Sequence, residues 1–354
     1  MKKNKLLFIG FLLVVLSVLL IGCSSDESSP SGEASDDSAT KKTADKTESD
    51  EKYEIATVVK LTGVGWFDRM GVGVERFAED TGHDAFQQGP QEADAALQVQ
   101  IIEDLIAQQV DAITVVPFSA ESLEPVLKKA RDAGIVVITH EADGMENVDY
   151  NIEAFNNSDY GVFLMDSLAE AMGEEGEYMT AVGSLTSNSH MAWEEAAYNR
   201  QQEAYPNMTA IERQVETNDD LQTASARFRE VLKTHPNLKG FQGSSGNDAP
   251  GASLAIEELG LEGEIQVVGT SVPSVSGQYI ENGSMHAITF WDPADASYAM
   301  NKLAVMILEG KEGEIKEGLD LGIPGYENLI VDGKYLYGNA PVKVDKENLD
   351  EFDF

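Results

Sequence analysis

From residue 54 onward, short apolar runs alternate with longer stretches whose apolar residues recur every three or four positions. EIATVVKL (54–61) reads as a buried strand and 66–81 as the helix after it. HDAFQQGP (83–90) is the next strand, and 92–109 a helix with Leu97, Ile101 and Leu105 on one face. VDAITVVP (110–117), a helix over 121–133 and IVVITHEA (135–142) continue the pattern. Strands separated by helices of ten or more residues predict βαβ units, hence a parallel sheet with helices on both faces.

The rhythm then restarts. A helix over 159–172 leads to EYMTAVGSL (177–185), a helix over 190–205 and TAIERQVETN (209–218). After these come 220–235, LKGFQGSS (238–245), 248–259 and EIQVVGTSV (264–272). SMHAITFWDP (284–293) carries the chain to a helix over 294–308, and the tail from 320 holds the strand-like runs NLIVDG, KYLYG and APVKV. The prediction is an α/β protein of two similar doubly wound parallel-sheet lobes with a cleft between them. The first lobe takes 53–152 plus 291–319, the second 153–290 plus 320–354. A first crossover falls at 151–157, the least patterned stretch between the two series.

The N-terminus is different in kind. Lys2, Lys3 and Lys5 precede an almost wholly apolar run over 6–21, just short of the ~20 residues that span a bilayer. Gly22-Cys23 and a polar stretch break it, which fits a cleaved signal peptide. Cys23, the sole cysteine, follows LLIG and resembles the lipobox of bacterial lipoproteins. That resemblance implies removal of residues 1–22 and a diacylated Cys23. The protein is then held on the outer face of the cell membrane, as in a Gram-positive bacterium. Residues 23–52 hold Ser, Asp, Glu, Lys and Thr and no aromatic side chain before the folded part, a tether too polar to order itself.

Charge and composition narrow the partners. The 62 acidic against 25 basic side chains give −37, and loss of the three lysines takes the mature chain to about −40. Nucleic acid is excluded as a partner, because its binders need a basic face. One cysteine excludes a disulfide framework and a Cys-based zinc site. Gly63-x-Gly65 follows a strand, but Asp68 occupies the third glycine position of a dinucleotide fingerprint and no acid ends the second strand. Gly243-Ser244-Ser245-Gly246 is no nucleophile elbow, since no serine stands at its centre. The five histidines are scattered. A triad of Ser189, His190 and Glu141 can be drawn but completes no motif. The expectation is no catalytic residue, no metal and no cofactor.

Ligands of open α/β sheets bind beyond the carboxyl ends of the strands, where helix N-termini point N–H groups into the crevice. The residues placed there are Lys60, Trp66 and Phe67, then His140, Glu141 and Asp143. In the second lobe they are 186–193, Asn218-Asp219, 244–248 and Ser271, with Trp291 and Asp292 at the return crossover. Aromatic faces, carboxylates, amides and one cation suit a small polyhydroxylated ligand. Each residue has a rival role: Lys60 in a buried ion pair, Trp66 and Phe67 in the core, Glu141 and Asp143 as caps, Asp292 as a hinge tie. Trp193 reads as core.

The segments KLTGVGWFDRMGVG, LIAQQVDAITVVPFSAESLEPVLKKARDAGIVVIT, GSSGNDAPGASLAIEELGL, VVGTSVPSVSGQYIENGSMHAITFWDP and DKENLDEFDF occur in this order. Together they resemble the type I periplasmic-binding-protein family, the sugar receptors of ABC importers, most of all its rhamnose- and autoinducer-2-binding branch. The resemblance implies two lobes joined by a three-segment hinge, with crossovers near 151–157, 289–292 and 318–323. It also implies that the lobes close on a sugar and that a monomer hands it to a membrane permease. Lys60 matches the lysine of the autoinducer-2 receptors' Lys-Leu-x-Gly-x-Gly motif. Glu141, within His140–Asp143, replaces their ligand-contacting aspartate. Ser189-His190 stand where they have Asp-Gln and the rhamnose type has Asn-Gln, and Ser244-Ser245-Gly246 where they have Pro-Asp-Ala. Trp291-Asp292 opens a run like the rhamnose receptors' Trp-Asn-Pro-x-Asp-x-x-Tyr. The resemblance thus implies a variant pocket, with a rhamnose-like deoxyhexose ahead of autoinducer-2.

Overall fold

The computed structural model describes residues 52–352 and 354. The apolar N-terminal run, Cys23 and the tether up to residue 51 lie outside the described residues.

Along the chain come β1 (Glu54–Val58), α1 (Gly65–Thr81), β2 (Asp84–Gln88), α2 (Ala95–Gln108), β3 (Ala112–Val115), α3 (Ala120–Asp132), β4 (Val136–Thr139) and β5 (Tyr150–Glu153). Then follow α4 (Asn157–Met172), β6 (Gly176–Val182), α5 (Asn188–Ala204), β7 (Met208–Glu216), α6 (Leu221–Thr234), β8 (Leu238–Gly243) and α7 (Asp248–Leu259). The remainder is β9 (Gln266–Thr270), α8 (Pro273–Asn282), β10 (Ala287–Phe290), α9 (Pro293–Leu308), β11 (Ile330–Asp332), β12 (Tyr335–Tyr337) and β13 (Val342–Val344). They build two sheets, ordered β11-β12-β5-β4-β3-β1-β2 and β13-β10-β9-β8-β6-β7. All pairings are parallel except β11 with β12 and β10 with β13. Strands β3, β4 and β10 are buried at every residue, because helices cover both faces of each sheet. The two-lobe α/β architecture is the one expected.

Among the described residues three helix pairs touch backbone to backbone, α6 and α7 at Gly251 and Leu221 being one. A Cβ at Gly73 of α1 would strike the Ala294 carbonyl of α9, and one at Gly161 of α4 the Trp193 carbonyl of α5. Asx side chains open several helices: Asp94 accepts from Ala96 and Leu97, Asn156 from Ser158 and Asp159, and Asp220 from Thr223. Each satisfies backbone donors that the first turn leaves open.

The pairing corrects the expected boundaries. The tail from 320 was assigned to the second lobe, but β12 pairs in parallel with β5 at the edge of the first sheet, and only β13 joins the second. The third crossover is therefore 338–341, not 318–323. It runs beside the first, with Gly338 N–H donating to Glu153 O and Ala340 N–H to Ala154 O, both at 2.9 Å. The stretch 151–157, read as unpatterned, begins with the last residues of β5. Helix α8 was not foreseen: its buried stripe of Pro273, Ser276, Tyr279 and Ile280 is broken as an apolar pattern by the serine.

Candidate ligand-binding site

Lys60 follows β1 and turns into the space between the lobes, 2% exposed. Its Nζ donates to Glu141 Oε2 at 2.6 Å, and both side chains are buried. Burial alone would lower the Lys60 pKa, but the charges of Glu141 and Asp219 outweigh it and hold the pKa above its usual value. Glu141 stands just beyond β4 with φ +56°, in the left-handed region. Its turn is braced by Glu153, which accepts from the backbone N–H groups of Glu141 (3.2 Å) and Ala142 (3.0 Å). Burial raises the Glu153 carboxyl despite these bonds.

An aromatic group forms the hinge side of the cleft. Trp291, at the second crossover, meets Trp66 of α1 edge-on at 4.7 Å, Phe155 of the first crossover at 5.0 Å and Trp193 of α5 at 5.6 Å. Its indole N–H donates to His140 Nε2 at 3.0 Å. The His140 proton therefore sits on Nδ1 and is given to Ile152 O.

The second lobe contributes polar groups. His190, in the first turn of α5, accepts at Nδ1 from Gly183 N–H at 3.2 Å. Burial, then the Lys60 charge, push its pKa well below the usual value. The ring is neutral and the donor it has left is Nε2–H. Asp219, between β7 and α6, is buried; burial raises its carboxyl while Lys60 and the Ser245 hydroxyl oppose the rise. Behind it Asp248 accepts from Thr217 Oγ1 (2.6 Å), Ser244 N (3.1 Å) and Ser245 N (2.8 Å). Burial drives Asp248 to about 7. These bonds hold the 244–246 loop at the cleft, and the Ser244 hydroxyl there is buried with no partner.

Lys60, Trp66, Phe67, Glu141, His190, Ser244, Ser245, Gly246 and Trp291 thus line one space at the cleft. Four expected residues lie outside it. His140 is turned away to orient Trp291. Asp143 accepts from Tyr337 Oη at 3.2 Å, and its carbonyl takes Asn188 Nδ2 at 2.8 Å from the other lobe. Ser189 is fully buried, its hydroxyl 3.4 Å from Ser187 Oγ. Asp292 holds Arg69 through two bonds of 2.8 and 2.5 Å and caps α9 through Ala294 N. Asp219 and Asn247, within the strand-end runs 218–219 and 244–248, also line it, as does Trp193, expected in the core; Leu61, Val64 and Thr270 were not named by sequence reasoning. Ser189, His190 and Glu141 form no relay, since the His190 Nδ1 is taken by backbone. Among the described residues no group of His, Cys, Asp or Glu is arranged to hold a metal, and no helix is long and apolar enough to cross a membrane.

Two α/β lobes whose strand ends face each other across a small polar and aromatic pocket define a ligand-binding protein of the bilobal kind. The chain belongs to the periplasmic binding protein family: the family model described as periplasmic binding protein domain matches residues 55–312. It is similar to the D-allose-binding periplasmic protein of Escherichia coli (strain K12), 28% identical over 264 residues, 71% of this chain and 83% of that one. Its fold is that of an ABC transporter solute binding protein from Clostridium phytofermentas solved with bound L-rhamnose. That match has a TM-score of 0.79 at 20% identity and covers 85% of this chain and 98% of the other. LsrB from Clostridium saccharobutylicum in complex with AI-2 is equally similar in fold, with a TM-score of 0.78 at 20% identity over 85% and 100% of the chains.

Proposed function

We propose that this protein is the extracytoplasmic, lipid-anchored sugar receptor of an ABC importer, without catalytic activity of its own. It captures a rhamnose-like monosaccharide by closure of the lobes and delivers it to the permease. The observation that carries this reading is the pocket itself. Lys60, the His190 Nε2–H and the Ser244 hydroxyl supply donors, Glu141 and Asp219 supply acceptors, and Trp66, Phe67, Leu61 and Trp291 supply apolar walls. Such a mixture suits a ring with hydroxyls on its edge and C–H groups on its face, and the apolar share suits the methyl of a deoxy sugar. The relatives' named ligands, D-allose and L-rhamnose, support the same class. Anchoring rests on Cys23 and the lipobox pattern.

The test uses a built-in reporter, for the chain's three tryptophans all line the pocket. Titration with L-rhamnose, D-allose and D-ribose is expected to change their fluorescence saturably with one of the three. A site filled at 100 times its dissociation constant should also stabilise the fold by about 2.7 kcal/mol. Silence in both measurements with all three sugars, beside a response to an amino acid or nucleoside, would overturn the proposal.

A further inference from the structure

Glu153 lies outside the pocket lining, yet two of its three side-chain hydrogen bonds serve the turn that carries Glu141. It is the last residue of β5 and 1% exposed. Its Oε2 accepts from the Glu141 N–H at 3.2 Å, and its Oε1 from the Ala142 N–H at 3.0 Å and from Asn151 Nδ2 at 2.9 Å. Three neutral donors on two oxygens suit a carboxylate, which only accepts. The strand itself does not require them, since β5 is paired by β4 on one side and β12 on the other. What they hold is Glu141 at φ +56°, a conformation disfavoured for any residue with a Cβ. That turn aims Glu141 at Lys60 and its neighbour His140 at Trp291. On the opposite wall Asn218 and Asp219 hold the same region, φ +57° and +54°, with neutral supports. There Asn247 Nδ2 clamps the Asp219 carbonyl at 2.7 Å, and Gly183 leaves room for the carboxylate, since a Cβ would collide with Oδ1. Of the two turns, the one at Glu141 rests on a group that can take up a proton.

We infer that Glu153 is a positioning residue for the sugar: as a carboxylate it holds the Glu141 turn in its binding geometry, and on taking up a proton it releases that turn, so that the receptor loosens its sugar in acid. The inference rests on the sugar-receptor reading and adds a proton dependence to that site. A protonated Glu153 turns one acceptor into a hydroxyl whose hydrogen meets a donor, and a buried backbone N–H loses its partner. Burial, and behind it the Glu141 charge, bring this uptake to a higher pH than for an ordinary carboxyl. Affinity is therefore full above the folded pKa of Glu153 and is lost as pH falls through it. The titratable groups around Glu153 are His140 and Glu141 from the turn after β4, Lys60 beyond β1, and Tyr326 and Tyr337 from the chain around β12. His140 has both ring nitrogens engaged, by Ile152 O and the Trp291 N–H, and Glu141 is bonded to Lys60. Lys60 and the two tyrosines have pKa values raised from ordinary ones already far above neutral.

The experiment reads sugar affinity by tryptophan fluorescence from about pH 8 to about pH 5, on the wild type and on Glu153→Gln, with L-rhamnose, D-allose and D-ribose as probes. Amide-exchange protection of Glu141 and Ala142 is followed by NMR over the same range. Glu153→Gln keeps the shape, but its amide nitrogen must face an N–H. It should bind about 10-fold more weakly than the wild type at the alkaline end, and the two proteins should converge at the acid end. Asp219 lines the pocket with a raised carboxyl of its own and adds its slope to both proteins, so the assignment is read from their difference. Equal affinities at the alkaline end, or a deficit that persists undiminished in acid, overturn the role of Glu153. Wild-type protection at Glu141 and Ala142 should fall as pH is lowered; protection that holds throughout overturns the role without any variant, so the test stands even where Glu153→Gln folds poorly. A wild type that binds none of the three sugars at any pH overturns the receptor reading and this role with it.

Discussion

On the first lobe's wall Glu141 is buried against Lys60 at 2.6 Å, whereas on the second lobe's wall Asp219 and Asp248 are buried with hydrogen bonds alone. Among the described residues no ion pair reaches either of them. The first wall's charge is compensated by folding. The second wall's is compensated by hydrogen bonds and, at Asp219, by the charge of Lys60 from across the cleft. The lobes are alike in topology but differ in how they hold buried charge: one through an ion pair, the other through hydrogen bonds.

The strongest way to break this contrast is Lys60→Met. It strands Glu141 as an unpaired buried carboxylate, and breaking such a pair costs about 3–5 kcal/mol. Denaturant unfolding should show that loss together with the loss of sugar binding; unchanged stability would mean the first wall does not depend on its ion pair. Gly183→Ala attacks the other wall. Its methyl displaces the Asp219 carboxylate, so overpacking should cost about 1–3 kcal/mol and sugar affinity should fall with it. An alanine variant that binds as tightly as wild type would show that Asp219 is not held in place by that contact.

The walls should also differ in pH response. Lys60 has a raised pKa, so its stabilising charge is fully present below the unfolded value of 10.5. Asp248 has the opposite consequence. Between its ordinary 3.8 and the folded value of about 7 the folded state holds a proton that the unfolded chain has released. Stability from this group therefore falls as pH rises through that window, and the raised carboxyls of Asp219 and Glu153 act in the same sense. Melting curves from pH 5 to 7 should show Asp248→Asn losing up to about 1 kcal/mol per pH unit of that slope. An identical slope would remove Asp248 from the account. The smallest effect is expected from Asn218→Gly. Glycine enters the left-handed region without strain, so a gain of about 0.5 kcal/mol is expected in denaturant unfolding, and a loss would show that the Asn218 side chain has work of its own.

Much of this fold was legible because buried parallel strands are written as unbroken apolar runs, as in AITV of β3 and VVIT of β4. YNIE of β5 escaped because half of it is polar: Asn151 and Glu153 are buried for their bonds to Thr139 and to the Glu141 turn. The tail was misassigned because pairing of β12 with β5 joins residues nearly two hundred positions apart, and no local pattern encodes that. At the site, the strand-end rule located the right loops but not the direction of each side chain. His140 and Glu141 are neighbours, yet one turns to Trp291 and the other to Lys60. Asp292 could equally contact a ligand or tie the crossover, and its bonds to Arg69 and Ala294 select the tie. Asn218-Asp219 was placed at a strand end, but two adjacent acids before a helix do not say which one caps; Asp220 caps α6 and Asp219 lines the pocket.

The third crossover's place beside the first has a mechanical consequence. Joined through Gly338 to Glu153 and Ala340 to Ala154, these two strands of chain act as one pin, and residues 291–292 are the other. Two pins define a line, and a plate hung on two pins swings but does not twist. In the proposed closure the lobes would swing along one arc, at the end of which Asn188 meets the Asp143 carbonyl and Gly246 the face of Trp66. A jaw that shuts along one arc works as a caliper: it completes its stroke only on a body of the right thickness.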